Sequence, residues 1–226
     1  MKRRLVLASA SPRRREILAL LGVPFETLAV DVPEQPCLGE SAAALAERLA
    51  REKAEAAARL VPDAVIVAAD TVVVFEGQVL GKPADPATAR AMLRQLRGRP
   101  HEVMTGVVVL DAAALQGSNR LVSEVVTTRV HMRNFSDTEI DAYVASGDPL
   151  DKAGAYGIQH IGFHPVARIE GCYLNVVGLP LCTTIRLLRA VGYPLPPNVE
   201  QVPGSVFGEN CACVVRWASR SSTTVP

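Results

Sequence analysis

The segment Val65-Ile66-Val67-Ala68-Ala69-Asp70-Thr71-Val72-Val73-Val74-Phe75 constrains this chain more than any other. Its β-branched, apolar character predicts a strand, yet an aspartate stands in the middle. Aspartate is depleted in strands, and an unpaired buried carboxylate costs several kcal/mol. Alternation places Asp70 on the face of Ile66, Ala68, Val72 and Val74. The strand could end there, but the apolar run resumes directly after Thr71. A carboxylate in that position needs a partner: a metal ion, a cationic side chain or a substrate proton.

The rest of the chain alternates short strands with amphipathic helices. Leu5–Ala8 and Phe25–Val32 read as strands. Ser11-Pro12 is a helix start, with Ser at the N-cap and Pro at the first helical position, and Gly22 closes that helix. Ser41 caps a helix through Leu60 whose stripe Leu45, Leu49 continues at i+4 spacing to Lys53 and Ala57. After Phe75 the turn Glu76-Gly77-Gln78 returns through Val79-Leu80 as a hairpin. Helices follow over Asp85–Leu96 and from Ser136 to Ser146, with Gly147 closing the latter. His101–Leu110, Val122–Met132, Val166–Ile169 and Tyr173–Val177 read as strands. Asp151–Ile161 reads as a Gly-rich loop, and Leu179–Val191 as the last helix. Such alternation gives an α/β or mixed α+β class. From about Tyr193 the chain turns Pro-rich and then Ser/Thr-rich, so residues 194–226 read as a poorly ordered extension of a domain over 1–193.

Composition excludes several classes of partner. The formal net charge is +1 and aromatic residues make up 4%, which argues against nucleic acid. No apolar stretch approaches the ~20 residues of a membrane span. Cys37, Cys172, Cys182, Cys211 and Cys213 are odd in number and scattered, as expected of reduced thiols in a cytoplasmic protein. His101, His131, His160 and His164 have no zinc spacing, and no P-loop, dinucleotide fingerprint or nucleophile elbow is present.

Four further segments could carry chemistry. In Leu7-Ala-Ser9-Ala-Ser11-Pro12-Arg13-Arg14 a strand gives way to a small-residue loop and a helix N-terminus, where free N–H groups favour phosphate. Ser9 and Ser11 add hydroxyls; Arg13 and Arg14 add fork-shaped donors that oppose the helix dipole. Lys53 points partly inward, either toward a site or as a snorkelling stem, and Lys82 lies in the loop after the hairpin. Glu34 leaves the second strand near Asp31. It could be the second carboxylate of a Mg²⁺ site, which takes one or two carboxylates plus phosphate oxygens. In Asp151-Lys-Ala-Gly154-Ala-Tyr-Gly157-Ile-Gln159 the glycines allow close approach, and Gln159 could read a base edge with its donor and acceptor.

The ordered segments Ser-Ala-Ser-Pro-Arg-Arg, Arg-Glu-Lys-Ala, Ala-Ala-Asp-Thr-Val-Val, Leu-Gly-Lys-Pro, His-Glu-Val-Met-Thr-Gly, Ser-Gly-Asp-Pro-Leu-Asp-Lys-Ala-Gly-Ala-Tyr-Gly-Ile-Gln and Tyr-Leu-Asn-Val-Val-Gly-Leu-Pro-Leu resemble the Maf family over residues 4–192. The resemblance implies a mixed central β-sheet flanked by helices, with a cleft between two lobes, often as a homodimer. It implies divalent-metal-dependent (Mg²⁺ or Mn²⁺) hydrolysis of nucleoside triphosphates to monophosphate and pyrophosphate, a housecleaning activity. Arg13, Thr71 and Gln159 stand at the positions that track base preference, and match the subgroup acting on dTTP and UTP. A sister subgroup acts on 7-methyl-GTP, and the family is also linked to septum formation, where nucleotide binding without turnover is the rival role. Asp70 matches the proton acceptor; Glu34, Lys53 and Lys82 match polar cleft residues. His160 and the stretch Phe163-His164-Pro165 depart from the family pattern beside the base-reading segment.

Overall fold

The computed structural model describes residues 3–116, 120–197 and 199. Its centre is a seven-stranded mixed sheet built from β1 (Arg4–Leu7), β2 (Glu26–Thr27), β3 (Ala64–Phe75), β4 (Gln78–Leu80), β5 (Pro100–Asp111), β6 (Arg120–Met132) and β7 (Val166–Glu170). The strand order is β2-β1-β3-β5-β6-β7, with β4 attached to β3. β1 pairs in parallel with β2 and β3, and every other pairing is antiparallel. Helices cover both faces: α1 (Pro12–Ala19), α2 (Ala42–Leu60), α3 (Pro86–Leu96), α4 (Asp137–Ala145), α5 (Tyr173–Val177) and α6 (Leu181–Ala190). This is the mixed, helix-flanked sheet the sequence implied. Among the described residues no helix is long and apolar enough to cross a membrane.

The helix starts are decided locally. Ser11, Ser41, Asp85 and Ser136 each cap the helix that follows, and their side chains accept from the backbone N–H of Arg14, Ala44, Thr88 and Glu139. Ser136 and Glu139 complete a reciprocal capping box.

Two expected elements come out differently. Phe25–Val32 was expected as a strand, but only Glu26–Thr27 pairs. Leu28 N still donates to Leu7 O at 2.9 Å, but β1 ends there, so the residues after Leu28 have no strand beside them to pair with. Tyr173–Val177 was expected as a strand and is the helix α5. Five mostly apolar residues carry no decisive period. Here Leu174 and Val177, three apart, are buried together with Asn175, and Gly178 ends the turn at φ 124°. A short 3₁₀ turn at Asp148–Asp151 leads into the expected loop Asp151–Ile161, and another forms within it at Ala153–Ala155. Of the expected extension, Leu195 and Val199 pack on the core beside α6, and Cys211 and Cys213 lie outside the described residues.

The core is divided rather than continuous. One face of β3 meets α1, α5 and α6 through Val65, Val67 and Ala69, then meets α3 and α4 through Val73 and Phe75. Thr71 falls between the two. The opposite face packs α2 on Ile66 and Ala68 at one end and on Val72 and Val74 at the other, and Asp70 falls between. The sheet splits at the same place. β1 pairs with β3 only as far as Val67, and β4 begins only at Val73. Ala68–Val72 therefore have no neighbouring strand on that edge, and a cleft opens there.

Candidate active site

Nine residues singled out from the sequence line one cleft of about 1140 Å³, Ser9, Arg13, Arg14, Glu34, Lys53, Asp70, Thr71, Lys82 and Gln159, whereas Asp31 and Gly154 do not. Asp70 is only 8% exposed. Its answer to burial is Lys53, whose Nζ lies 2.6 Å from Asp70 Oδ1 and 2.9 Å from Glu34 Oε1. The other oxygen of Asp70 makes no hydrogen bond among the described residues. The Lys53 ammonium holds the Glu34 carboxyl below the usual range, against the effect of burial, with smaller help from Lys82 and Arg14.

Lys53 reaches Asp70 because α2 sits very close to the sheet. Gly106 is the β5 residue opposite Asp70. A Cβ there would meet Ala46 O at 2.4 Å and Glu47 N at 2.7 Å, so only glycine lets the helix backbone rest on the strand. Ala50, Ala54 and Ala57 pack the rest of the helix on the sheet with small side chains.

The phosphate-type loop lies across the split. Ser9 Oγ accepts from Ser11 N at 3.2 Å, and α1 begins one residue later. Arg14 is anchored on two sides: Nε donates to Gly178 O at 2.8 Å and Nη2 to Thr71 Oγ1 at 3.0 Å. Burial lowers its pKa, while nearby Asp70 raises it, so the guanidinium stays a cation facing a carboxylate. Arg13 is half-buried and Lys82 exposed; neither forms an ion pair among the described residues.

The facing wall is irregular. Gln159 is exposed at its rim. Lys152 Nζ donates to Asp148 O, Asp148 Oδ1 and Asp151 Oδ1 at 2.6, 2.9 and 2.7 Å. The Tyr143 hydroxyl donates to Asp148 Oδ2 at 2.6 Å and accepts from Gly157 N at 2.9 Å. The unusual residues are integral to this wall: His160 Nδ1 accepts from Phe163 N at 2.9 Å, and Phe163 stacks on Tyr143 with centroids 4.2 Å apart. Behind it Tyr156 meets buried His101, with Tyr156 Oη 2.7 Å from His101 Nε2.

Sequence reasoning did not single out Tyr143, Lys152, Thr105 or Asn175. A polar residue inside an apolar run, as in Tyr173-Leu-Asn175-Val-Val, was the available signal for Asn175.

Five cationic side chains, Arg13, Arg14, Lys53, Lys82 and Lys152, line the cleft around buried Asp70, and Glu34 is a second carboxylate within reach of the Lys53 ammonium. That donor set suits a polyanion carried with a cation. The chain is 50% identical over 191 residues to the dTTP/UTP pyrophosphatase of Geobacter sulfurreducens, covering 84% of this chain and 98% of that protein. It is 52% identical over 192 residues to the dTTP/UTP pyrophosphatase of Myxococcus xanthus, covering 85% and 94%. A solved nucleoside-triphosphatase / dITP/XTP pyrophosphatase from Mycobacterium abscessus is 17% identical with a TM-score of 0.37, covering 72% of this chain and 82% of that one. The profile of the family described as Maf-like protein matches residues 4–191, the whole span that builds the sheet and both walls of the cleft, and the chain belongs to that family.

Proposed function

We propose that the protein is a nucleoside triphosphate pyrophosphatase that hydrolyses dTTP and UTP to the monophosphate and pyrophosphate. The observation that carries this reading is Asp70: a buried carboxylate at the split in the sheet, with one oxygen held by Lys53 and the other uncommitted. The 50% identical relatives named dTTP/UTP pyrophosphatase support the substrate choice.

In this reading the uncommitted oxygen of Asp70 accepts the proton of a water that attacks the α-phosphorus. The new P–O bond forms as the bond to the α,β-bridging oxygen breaks, and pyrophosphate leaves. Arg13, Arg14 and the N-terminus of α1, with Ser9, Lys53 and Lys82, neutralise the triphosphate. Thr71, Arg13 and Gln159 select the pyrimidine. Glu34 and Asp70 would hold a divalent metal. The two carboxylates already converge on one positive charge, the Lys53 ammonium, and Mg²⁺ commonly takes one or two carboxylates plus phosphate oxygens. Bound there, the metal would supply charge neutralisation at the phosphates. The reading includes a cytoplasmic enzyme with its catalytic unit in residues 1–193, residues 194–226 as an extension, and the homodimer that the family resemblance implies.

The test is a nucleotide panel on the full chain with Mg²⁺ or Mn²⁺, reading pyrophosphate and monophosphate together. dTTP and UTP should be consumed with one pyrophosphate each, and Asp70→Asn should lower kcat about 10²–10⁴-fold. Preference for 7-methyl-GTP, or stoichiometric binding without turnover, would overturn the reading.

A further inference from the structure

Behind Thr71 lies a run of buried groups, Thr105, Asn175 and Thr128, that no step of the proposed reaction uses. Thr71 Oγ1 lies 2.9 Å from Thr105 Oγ1, and Thr105 Oγ1 donates to the backbone oxygen of Asn175 at 3.1 Å. Asn175 is held in turn. Its Nδ2 donates to Val103 O and to Thr128 Oγ1, both at 3.0 Å, and Thr128 Oγ1 donates to Cys172 O at 3.2 Å. Thr105, Thr128 and Asn175 are completely buried.

A hydroxyl has one hydrogen, and that fixes the direction of the chain. Thr105 spends its hydrogen on Asn175 O, so Thr71 must be the donor in the Thr71–Thr105 bond. Thr71 then has only a lone pair to offer on its other side, which is where Arg14 Nη2 donates. The order runs Arg14 to Thr71 to Thr105 to Asn175, each group donating to the next. Arg14 Nε donates to Gly178 O, the residue that closes the same helix. Both anchors of the guanidinium therefore trace back to α5. A Cβ at Gly178 would come within 3.4 Å of Arg14 Nε and 3.6 Å of Thr71 Oγ1, so the three groups are packed as well as bonded.

We propose that Thr105 and Asn175 are positioning residues. They commit the Thr71 hydroxyl inward and so hold the Arg14 guanidinium with its remaining donors toward the triphosphate. The proposal rests on the reading of Arg14 as a phosphate contact. It also gives Thr71 a definite part in selectivity. Its hydroxyl hydrogen is spent on Thr105, so it cannot donate to a base, and it acts through the placement of Arg14.

The experiment is a mutant cycle on the full chain, reading kcat/KM for dTTP by pyrophosphate release, with thermal unfolding in parallel. Thr105→Val should lower kcat/KM about ten-fold. Thr105→Ser, which keeps the hydroxyl, should stay within about two-fold of the unsubstituted protein. In an Arg14→Ala background Thr105→Val should cause no further loss, because its effect passes through Arg14. Full activity of Thr105→Val, a Ser variant as poor as the Val variant, or equal losses in both backgrounds would overturn the proposal. If Thr105→Val fails to fold, Thr71→Val carries the same cycle, and its loss must likewise vanish without Arg14. A fully active Arg14→Ala would remove the phosphate role and the proposal together. An impaired Arg14→Ala beside an unimpaired Thr105→Val would overturn the positioning alone.

Discussion

The two walls of the cleft are built on opposite principles. Asp70 and Lys53 stand on long regular elements, β3, laddered to β5 on its inner edge, and the helix α2. The wall from Asp148 to His164 has almost no ladder and is held by side chains: Lys152 on Asp148 and Asp151, Tyr143 on Asp148 and Gly157, and Phe163 on Tyr143. It also carries left-handed backbone at Gly154, and at Ala155 and His164, where a side chain makes that conformation costly. Chemistry needs fixed distances, and regular elements give them. A wall tied by side chains can be reshaped one residue at a time without disturbing the sheet, which suits a surface that distinguishes bases.

Three changes test that division, beginning with the largest expected effect. Gly106→Ala strikes the regular wall. The new methyl meets the backbone of Ala46 and Glu47 rather than a flexible side chain, so α2 must move off the sheet. A loss of about 3 kcal/mol or more is expected in denaturant unfolding, together with loss of pyrophosphate release as Lys53 shifts from Asp70. Wild-type stability in this variant would show that α2 is not seated on Gly106.

The second change concerns pH behind the irregular wall. Burial, with a smaller contribution from His131, pushes His101 down to about 4. His101 is therefore neutral in the folded protein while its unfolded counterpart protonates near 6.5. The unfolded state gains the proton first, so stability is full above pH 6.5 and falls between 6.5 and about 4, by up to about 1.4 kcal/mol per pH unit. His101→Leu should flatten that part of the stability profile. An unchanged slope would mean that His101 titrates normally.

The smallest effect belongs to Tyr143→Phe. Burial, reinforced by Asp148, raises the pKa of this hydroxyl, so it keeps the proton it donates. Removing it leaves the buried Gly157 N–H without its acceptor, at a cost of about 1–3 kcal/mol. If the walls divide as described, kcat for dTTP should hold within about two-fold while KM and the dTTP-to-UTP ratio change. A fall in kcat with unchanged KM would place this wall in the chemistry instead.

The wall of Asp70 and Lys53 is legible in the sequence because its signals are local contradictions. An acid inside Val-Ile-Val-Ala-Ala-Asp-Thr-Val-Val-Val-Phe and a lysine continuing a leucine stripe each break a pattern within a few residues. The helix caps Ser11, Ser41 and Ser136 are legible for the same reason, since each bonds backbone only three positions away. The supports are not. Thr105 and Asn175 look unremarkable in sequence, and their partners lie 34 to 72 residues away. α5 was mistaken for a strand because a five-residue apolar run fits either period.

By itself the sequence determined the alternating strands and helices, the caps, the misplaced aspartate, the inward lysine and the arginine pair at a helix start. It did so because each is a relation between near neighbours. Only the tertiary structure decided that β1 stops at Val67 of its partner strand while β4 waits until Val73. That gap leaves Asp70 and Thr71 open to a cleft instead of sealed in a sheet. It also decided that Gly106 lets α2 close enough for Lys53 to answer Asp70. Both depend on where distant segments come to rest, and no local pattern encodes that.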